Sequence, residues 1–174
     1  HSFGFQTLSF WSLADKTFGD ADFALTGSAS SGLDVDYNSS DPTVATISGN
    51  TVTIVGAGTT NITASQSGNG SFLAATEIVQ SLTVNESSQT INFSALADKT
   101  FGDSDFDLTA SASSGLDVSY ISSDVSVATV SGSTVTIVGA GSTNITASQS
   151  GNANFSAASN VVQSLTVNQA SQSI

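Results

Sequence analysis

Cysteine, methionine and arginine are absent from this chain, and its one histidine is His1. No disulfide, thiolate nucleophile or Cys-ligated zinc or iron–sulfur site can be built from such a set. A multi-histidine metal site is excluded too, and a Ser-His-Asp triad would have to borrow a terminal imidazole. Basic side chains are nearly missing. Lys plus Arg number 2 against 14 for Asp plus Glu, a formal charge of -12 with a pI of about 4.1. With no basic patch to displace phosphate counterions, nucleic acid is not an expected partner, and neither is an anionic membrane surface. No apolar run reaches about 18 residues, so no membrane-spanning helix and no membrane insertion are expected. No stretch joins a charged start, an apolar centre and a small-residue cleavage site. A secreted protein would therefore be represented here by its mature part.

What the chain does have is hydroxyl and β-branched side chains. Ser and Thr together make up 55 of the 174 residues. Charged residues are 9%, far below the roughly 25% of ordinary soluble domains. Hydrophobic residues still reach 39%, with 10 Phe, so a core can be buried and disorder is not expected. Many Thr, Val, Ile and Phe with 15 Gly point to strands joined by tight turns.

The strongest signal is an internal repeat. Gln6-Thr7 matches Gln89-Thr90, the segment Asp15–Asp20 matches Asp98–Asp103, and Ser65–Asn69 matches Ser148–Asn152, each at an offset of 83. Residues 6–88 and 89–171 share 61 identities in 83 positions, without a gap. The sequence divides into repeat 1 (1–88), repeat 2 (89–171) and the start of a further repeat (172–174), where Gln172 and Ile174 match Gln89 and Ile91. Between such similar copies the differences are the informative positions: Trp11/Ser94, Asn38/Ile121, Leu73/Ser156 and Glu77/Asn160.

Each copy reads as about seven short strands. Leu33, Val35 and Tyr37 alternate with Asp34 and Asp36; Val44–Ser48 and Thr51–Val55 flank Gly49-Asn50; Thr59–Gln66 and Glu77–Asn85 follow. Thr7–Phe10 and Phe23–Ala29 supply two more, and Ser67–Ala75 is a loop anchored by Phe72. No segment shows a 3.6-residue period over helical length. The fold class is all-β: two tandem immunoglobulin-like Greek-key β-sandwich domains. The expected core of the first copy is Phe10, Phe18, Phe23, Leu25, Tyr37, Val44, Ile47, Val52, Ile54, Ile62, Phe72, Leu82 and Val84.

The run Ser40–Asn50, followed by Thr51–Val55, Gly56-Ala-Gly58 and Thr59–Ala64, resembles the group 2 bacterial immunoglobulin-like domains of intimin- and invasin-like surface proteins. The segment Lys16–Asp22 is similar to the start of the MBG repeats of bacterial adhesins, with Phe18 and Phe101 standing where those repeats usually have Tyr. The resemblance implies tandem repeats of a large secreted protein at the bacterial cell surface, and it carries no catalytic residue over.

Several constellations invite chemistry. Twelve Asp against two Glu favour the short acid. Asp15, Asp20 and Asp22 in copy one and Asp98, Asp103 and Asp105 in copy two are the candidate ligands for calcium, which takes carboxylates and loop carbonyls. The competing reading is that Asp caps turns; no Asp-x-Asp-x-Asp-Gly loop is present, and no cofactor is required. A glycosidase-like acid pair would need a cleft that no insertion supplies. Lys16 and Lys99 could form an isopeptide crosslink to Asn, but their Asp-Lys-Thr context reads as an exposed turn. Asn-x-Ser/Thr triplets begin at Asn38, Asn61, Asn69, Asn85, Asn92, Asn144 and Asn154, most of them a product of composition. Trp11 is read as capping the first unit or touching a preceding neighbour. Gly56-Ala-Gly58 and Gly139-Ala-Gly141 are strand-connecting turns, since no Lys or helix follows them.

The expected function is a non-enzymatic structural or adhesive repeat, forming the stalk of a secreted bacterial surface adhesin or an extracellular filament. Its partners would be neighbouring repeats or identical subunits, with surface glycans as a further candidate. In a filament, the segment Ala170–Ile174 could pair with a free sheet edge of the next subunit. The alternative is a non-catalytic carbohydrate-binding or spacer module of a larger secreted polysaccharide-active enzyme.

Overall fold

The computed structural model describes residues 2–174, and no helix occurs among them. The chain divides into two compact units, the first ending at Ser87 and the second running Ser88–Ile174. The first unit carries β1 (Leu8–Ser9), β2 (Lys16–Thr17), β3 (Phe23–Ala24), β4 (Ser28–Ala29), β5 (Asp36–Ser39), β6 (Ala45–Ser48), β7 (Thr51–Ile54), β8 (Gly58–Ser65) and β9 (Ile78–Asn85). The second repeats them as β10 (Ile91–Asn92), β11 (Lys99–Thr100), β12 (Phe106–Asp107), β13 (Ser111–Ala112), β14 (Ser119–Ser122), β15 (Ala128–Ser131), β16 (Thr134–Ile137), β17 (Gly141–Ser148) and β18 (Val161–Asn168).

Within a unit, one sheet has the order β2-β9-β8-β5 and the other β3-β7-β6, with β1 pairing β4 alongside. The chain leaves the four-stranded sheet after β2 and again after β5, and returns to it at β5 and at β8, which is a Greek-key path. All pairs are antiparallel except β2 with β9, where Lys16 faces Val84 and Thr17 faces Asn85 in parallel register. The β6–β7 connection is Gly49-Asn50. Gly49 has a φ of 61° while no other residue type has positive φ, the pattern of a type II′ hairpin turn.

Alternation along the long strands builds the interior. In β8, Thr60, Ile62 and Ala64 point inward while Thr59 and Asn61 face out; in β9, Leu82 and Val84 point inward. They meet Leu8, Phe10, Leu25, Val44, Ala45 and Val52 from the opposite side in one cluster. Ile91, Phe93, Leu108, Val127, Ala128, Val135, Ile145, Ala147, Leu165 and Val167 form the equivalent cluster of the second unit. One interior fed by two sheets makes each unit an immunoglobulin-like Greek-key β-sandwich.

Four details differ from the sequence reading. Lys16 and Lys99 lie on short strands and are half-buried, not in exposed turns, because β2 and β11 close the four-stranded sheet beside β9 and β18. Phe23–Ala29 is two strands, not one: Leu25–Gly27 leaves the ladder, and β3 pairs β7 while β4 pairs β1. The strand read at Leu33–Tyr37 begins only at Asp36. Phe72 is absent from the interior cluster and packs its ring against Gly4 instead.

Candidate functional site

The aspartates expected to bind calcium are dispersed over turns. Asp20 Oδ2 accepts the backbone N–H of Thr17 at 2.9 Å, and Asp20 N–H donates back to Thr17 O at 2.9 Å. Asp103 repeats this on Thr100. The turn between them needs Gly19, at φ 96°, and Gly102, at φ 98°. The Thr-Phe-Gly-Asp signature is therefore a self-capped turn at the end of β2 and of β11. Asp15, Asp22, Asp98 and Asp105 are exposed. Among the described residues, no three His, Cys, Asp or Glu side chains come together as a set able to hold a metal ion.

Two other aspartates have a defined task. Asp41 Oδ1 accepts the Thr43 hydroxyl at 2.6 Å and the Thr43 N–H at 3.0 Å, and Asp124 does the same with Ser126. These bonds, the hydroxyl first, hold both carboxyls below the usual range by favouring the ionised form. The same turn is tied inward by Thr60, buried at 2% exposure, whose Oγ1 accepts Asp41 N–H at 2.9 Å and meets Ser39 Oγ at 2.8 Å. Thr143 serves Asp124 and Ser122 identically.

Glutamines staple the loops, a role that sequence inspection missed. Gln6 Nε2 donates to Leu73 O at 2.8 Å while its Oε1 accepts Ser31 Oγ. Gln66 Nε2 donates to Asp34 O, and its Oε1 accepts the N–H of Gly68. Gln80 Nε2 donates to Phe10 O at 2.8 Å. Gln89, Gln149 and Gln163 repeat all three. A buried amide has to be matched on both of its ends, but recurrence at the 83-residue offset, shared by 61 of 83 positions, does not single these residues out.

The third feature is a hollow between the β1–β2 connection and β3. In the first unit it measures about 170 Å3 and is lined by Phe10, Trp11, Leu13, Lys16, Phe23 and Thr26 among others. Its counterpart of about 190 Å3 is lined by Phe93, Ser94, Leu96, Lys99, Phe106 and Asp107 among others. Lys16 Nζ lies 4.5 Å from the centroid of the Phe23 ring, and Lys99 Nζ lies 4.4 Å from that of Phe106. The ring quadrupole holds each ammonium at the wall while the stem packs below. Trp11 stands at the rim, 76% exposed. A wider hollow of about 410 Å3 brings Asp34 and Asp36 together with Tyr37 and Asn50. Burial pushes the Tyr37 hydroxyl's pKa up, against a smaller opposing effect of the hydrogen bond with Gly27.

No known family model matches the chain, and no curated protein matches it. Solved structures do resemble it at low identity. The surface-layer protein SbsC, domains 1–6, aligns over 96% of this chain and 28% of its own, with 18% identity and a TM-score of 0.40. Drosophila N-cadherin EC1–4 aligns over 95% of this chain and 50% of its own, with 15% identity and a TM-score of 0.40. The immunoglobulin domains 1–5 of Sidekick-1 align over 97% and 40%, with 12% identity and a TM-score of 0.35. The chain thus spans half or less of each of these proteins.

Proposed function

We propose that the chain is a non-catalytic structural and adhesive repeat, part of the stalk of a secreted bacterial surface adhesin or of an extracellular filament. Neighbouring repeats or identical subunits are its partners, and the group 2 and MBG resemblance belongs to this proposal. One observation carries the reading: in each unit a parallel strand pair joins a strand near the start of the unit to its last strand. β2 lies parallel to β9, with Phe18 N–H donating to Asn85 O at 2.8 Å, and β11 lies parallel to β18, with Phe101 N–H donating to Asn168 O at 2.8 Å. A pull on the two ends of a unit draws parallel neighbours in opposite directions. Their hydrogen bonds are loaded in shear and must break together, whereas an end-on hairpin opens one bond at a time. This arrangement suits a chain that bears tension.

Single-molecule stretching of the whole chain tests it. Two sequential unfolding events are expected, each releasing about 290 Å less the folded unit's own length, from 83 residues at about 3.5 Å each. Deleting the shear pair with Lys16→Pro or Lys99→Pro should lower the force of one event only. Opening as one merged event, or at a force that these substitutions leave unchanged, would count against a tension-bearing role. Antibody labelling of intact source cells tests the surface location, and failure to label them would exclude it.

A further inference from the structure

The hollow beside Lys16 is unused by the mechanical reading, and the two copies differ at it in an informative way. Trp11 exposes 76% of its surface at the rim, yet Ser94 stands at the same place in the second copy, so the fold does not need an indole there. A large aromatic left in water beside a preformed hollow presents a flat apolar face to whatever enters. Lys16 is the only lysine or arginine of the first repeat, and its ammonium lies at the wall over Phe23. Thr26 is also among the lining residues. An aromatic platform, a donor and room of about 170 Å3 match one pyranose ring.

Charge narrows the occupant. At a formal -12, the chain repels polyanions, and a single lysine cannot offset that field. We propose that this hollow in the first unit is a binding subsite for a neutral hexopyranose of a surface polysaccharide. The apolar face of the ring stacks on Trp11, and Lys16 donates hydrogen bonds to its hydroxyls. The second unit retains Lys99 over Phe106 but lacks the platform. It also places Asp107, in the position of Ala24, in the lining, where its Oδ1 accepts the Thr134 hydroxyl at 2.9 Å. One site per chain is therefore expected. The subsite is independent of the tension-bearing role, and either can fail alone.

The single Trp makes the test direct, because only one indole reports. The whole chain is titrated with neutral oligosaccharides of glucose, mannose and galactose, and with uronate oligosaccharides, by calorimetry and Trp fluorescence. At least one neutral oligosaccharide should blue-shift the emission with one equivalent per chain. Trp11→Ser, which copies the residue that the second unit already folds with, should weaken calorimetric binding at least tenfold. Ser94→Trp should raise the stoichiometry toward two. Binding unchanged by Trp11→Ser, binding of uronates alone, or no heat with any neutral sugar at millimolar concentration would overturn the assignment.

Discussion

Thr60→Val is the substitution that most sharply tests how the units are held. The two side chains have nearly the same shape, so the interior between β8 and β5 stays filled. What is lost is Oγ1, the acceptor for Asp41 N–H at 2.9 Å and the partner of Ser39 Oγ at 2.8 Å. Ser39 Oγ retains Asp41 O at 3.3 Å, and Ser40 Oγ keeps the N–H of Asn61 at 3.0 Å, so the Asp41 N–H alone is stranded. A buried donor without an acceptor costs about 1–3 kcal/mol. Trading a hydroxyl for a methyl returns up to about 0.8 kcal/mol. From the middle of these ranges the net loss expected is about 1 kcal/mol, which lowers the melting temperature of a domain this size by roughly 4–8 °C. Scanning calorimetry of the whole chain reads it: Thr60→Val should split off a lower-melting transition, Thr143→Val should do likewise, and the double variant should shift both units. Thr53→Val, on the exposed face of β7, should shift melting by less than about 0.5 kcal/mol equivalent. If Thr60→Val melts no lower than this control, the buried hydroxyl is not what ties the turn to β8.

Other outcomes follow from the same geometry. Asp41 and Asp124 have carboxyls held below the usual carboxylate range, so their contribution is complete above the unfolded value and is lost as pH falls through the folded one; Thr43→Val should move the Asp41 midpoint upward in an NMR titration, and an unmoved midpoint would mean that the hydroxyl is not its cause. At Gly68, φ is +81° and an added Cβ would lie 2.3 Å from Phe72 O, so Gly68→Ala should cost at least about 2 kcal/mol and open residues 67–76 to hydrogen exchange. Gly32→Ala, at φ +80° with open space around it, should cost only about 1 kcal/mol, and equal losses at the two sites would refute the clash. Gly27→Ala should be nearly neutral although its Cβ would start 2.7 Å from the Tyr37 hydroxyl, because the second unit already has Ala110, whose N–H donates to Tyr120 at 2.9 Å. There the Phe93–Tyr120 centroids lie 5.7 Å apart against 5.5 Å for Phe10–Tyr37, which shows how small the adjustment is; a loss above about 1 kcal/mol in urea unfolding would show that the first unit cannot make it.

What the sequence made legible follows its periodicities. The two-residue alternation in Thr51–Ile54 and Gly58–Ser65 placed Val52, Ile54, Ile62 and Ala64 inward, because a half-buried strand has to alternate. The 83-residue offset carried the duplication. The short strands were harder. Lys16-Thr17 has no hydrophobic pattern and becomes a strand only because β9 is beside it, a contact 68 residues away in sequence. The hydrogen-bonding work of Thr60 and Gln66 was likewise invisible, since a buried hydroxyl or amide reads as surface until its partners are placed. Trp11 was legible as an oddity through its mismatch with Ser94, and only the fold set Lys16 and Phe23 next to it.

The near-identity of the copies creates a choice of partner during folding. β8 could pair with β18 almost as well as with β9, since Gln80–Asn85 is repeated without change at Gln163–Asn168. The correct pairing of Ala64 with Ile78 closes residues 65–77, whereas the exchanged one would close residues 65–160, a loop about seven times longer. That difference in closure entropy is worth about 2 kcal/mol. The shorter closure of β8 onto β9 thus favours pairing within a unit, and it biases a twice-written polypeptide against exchanging strands with itself.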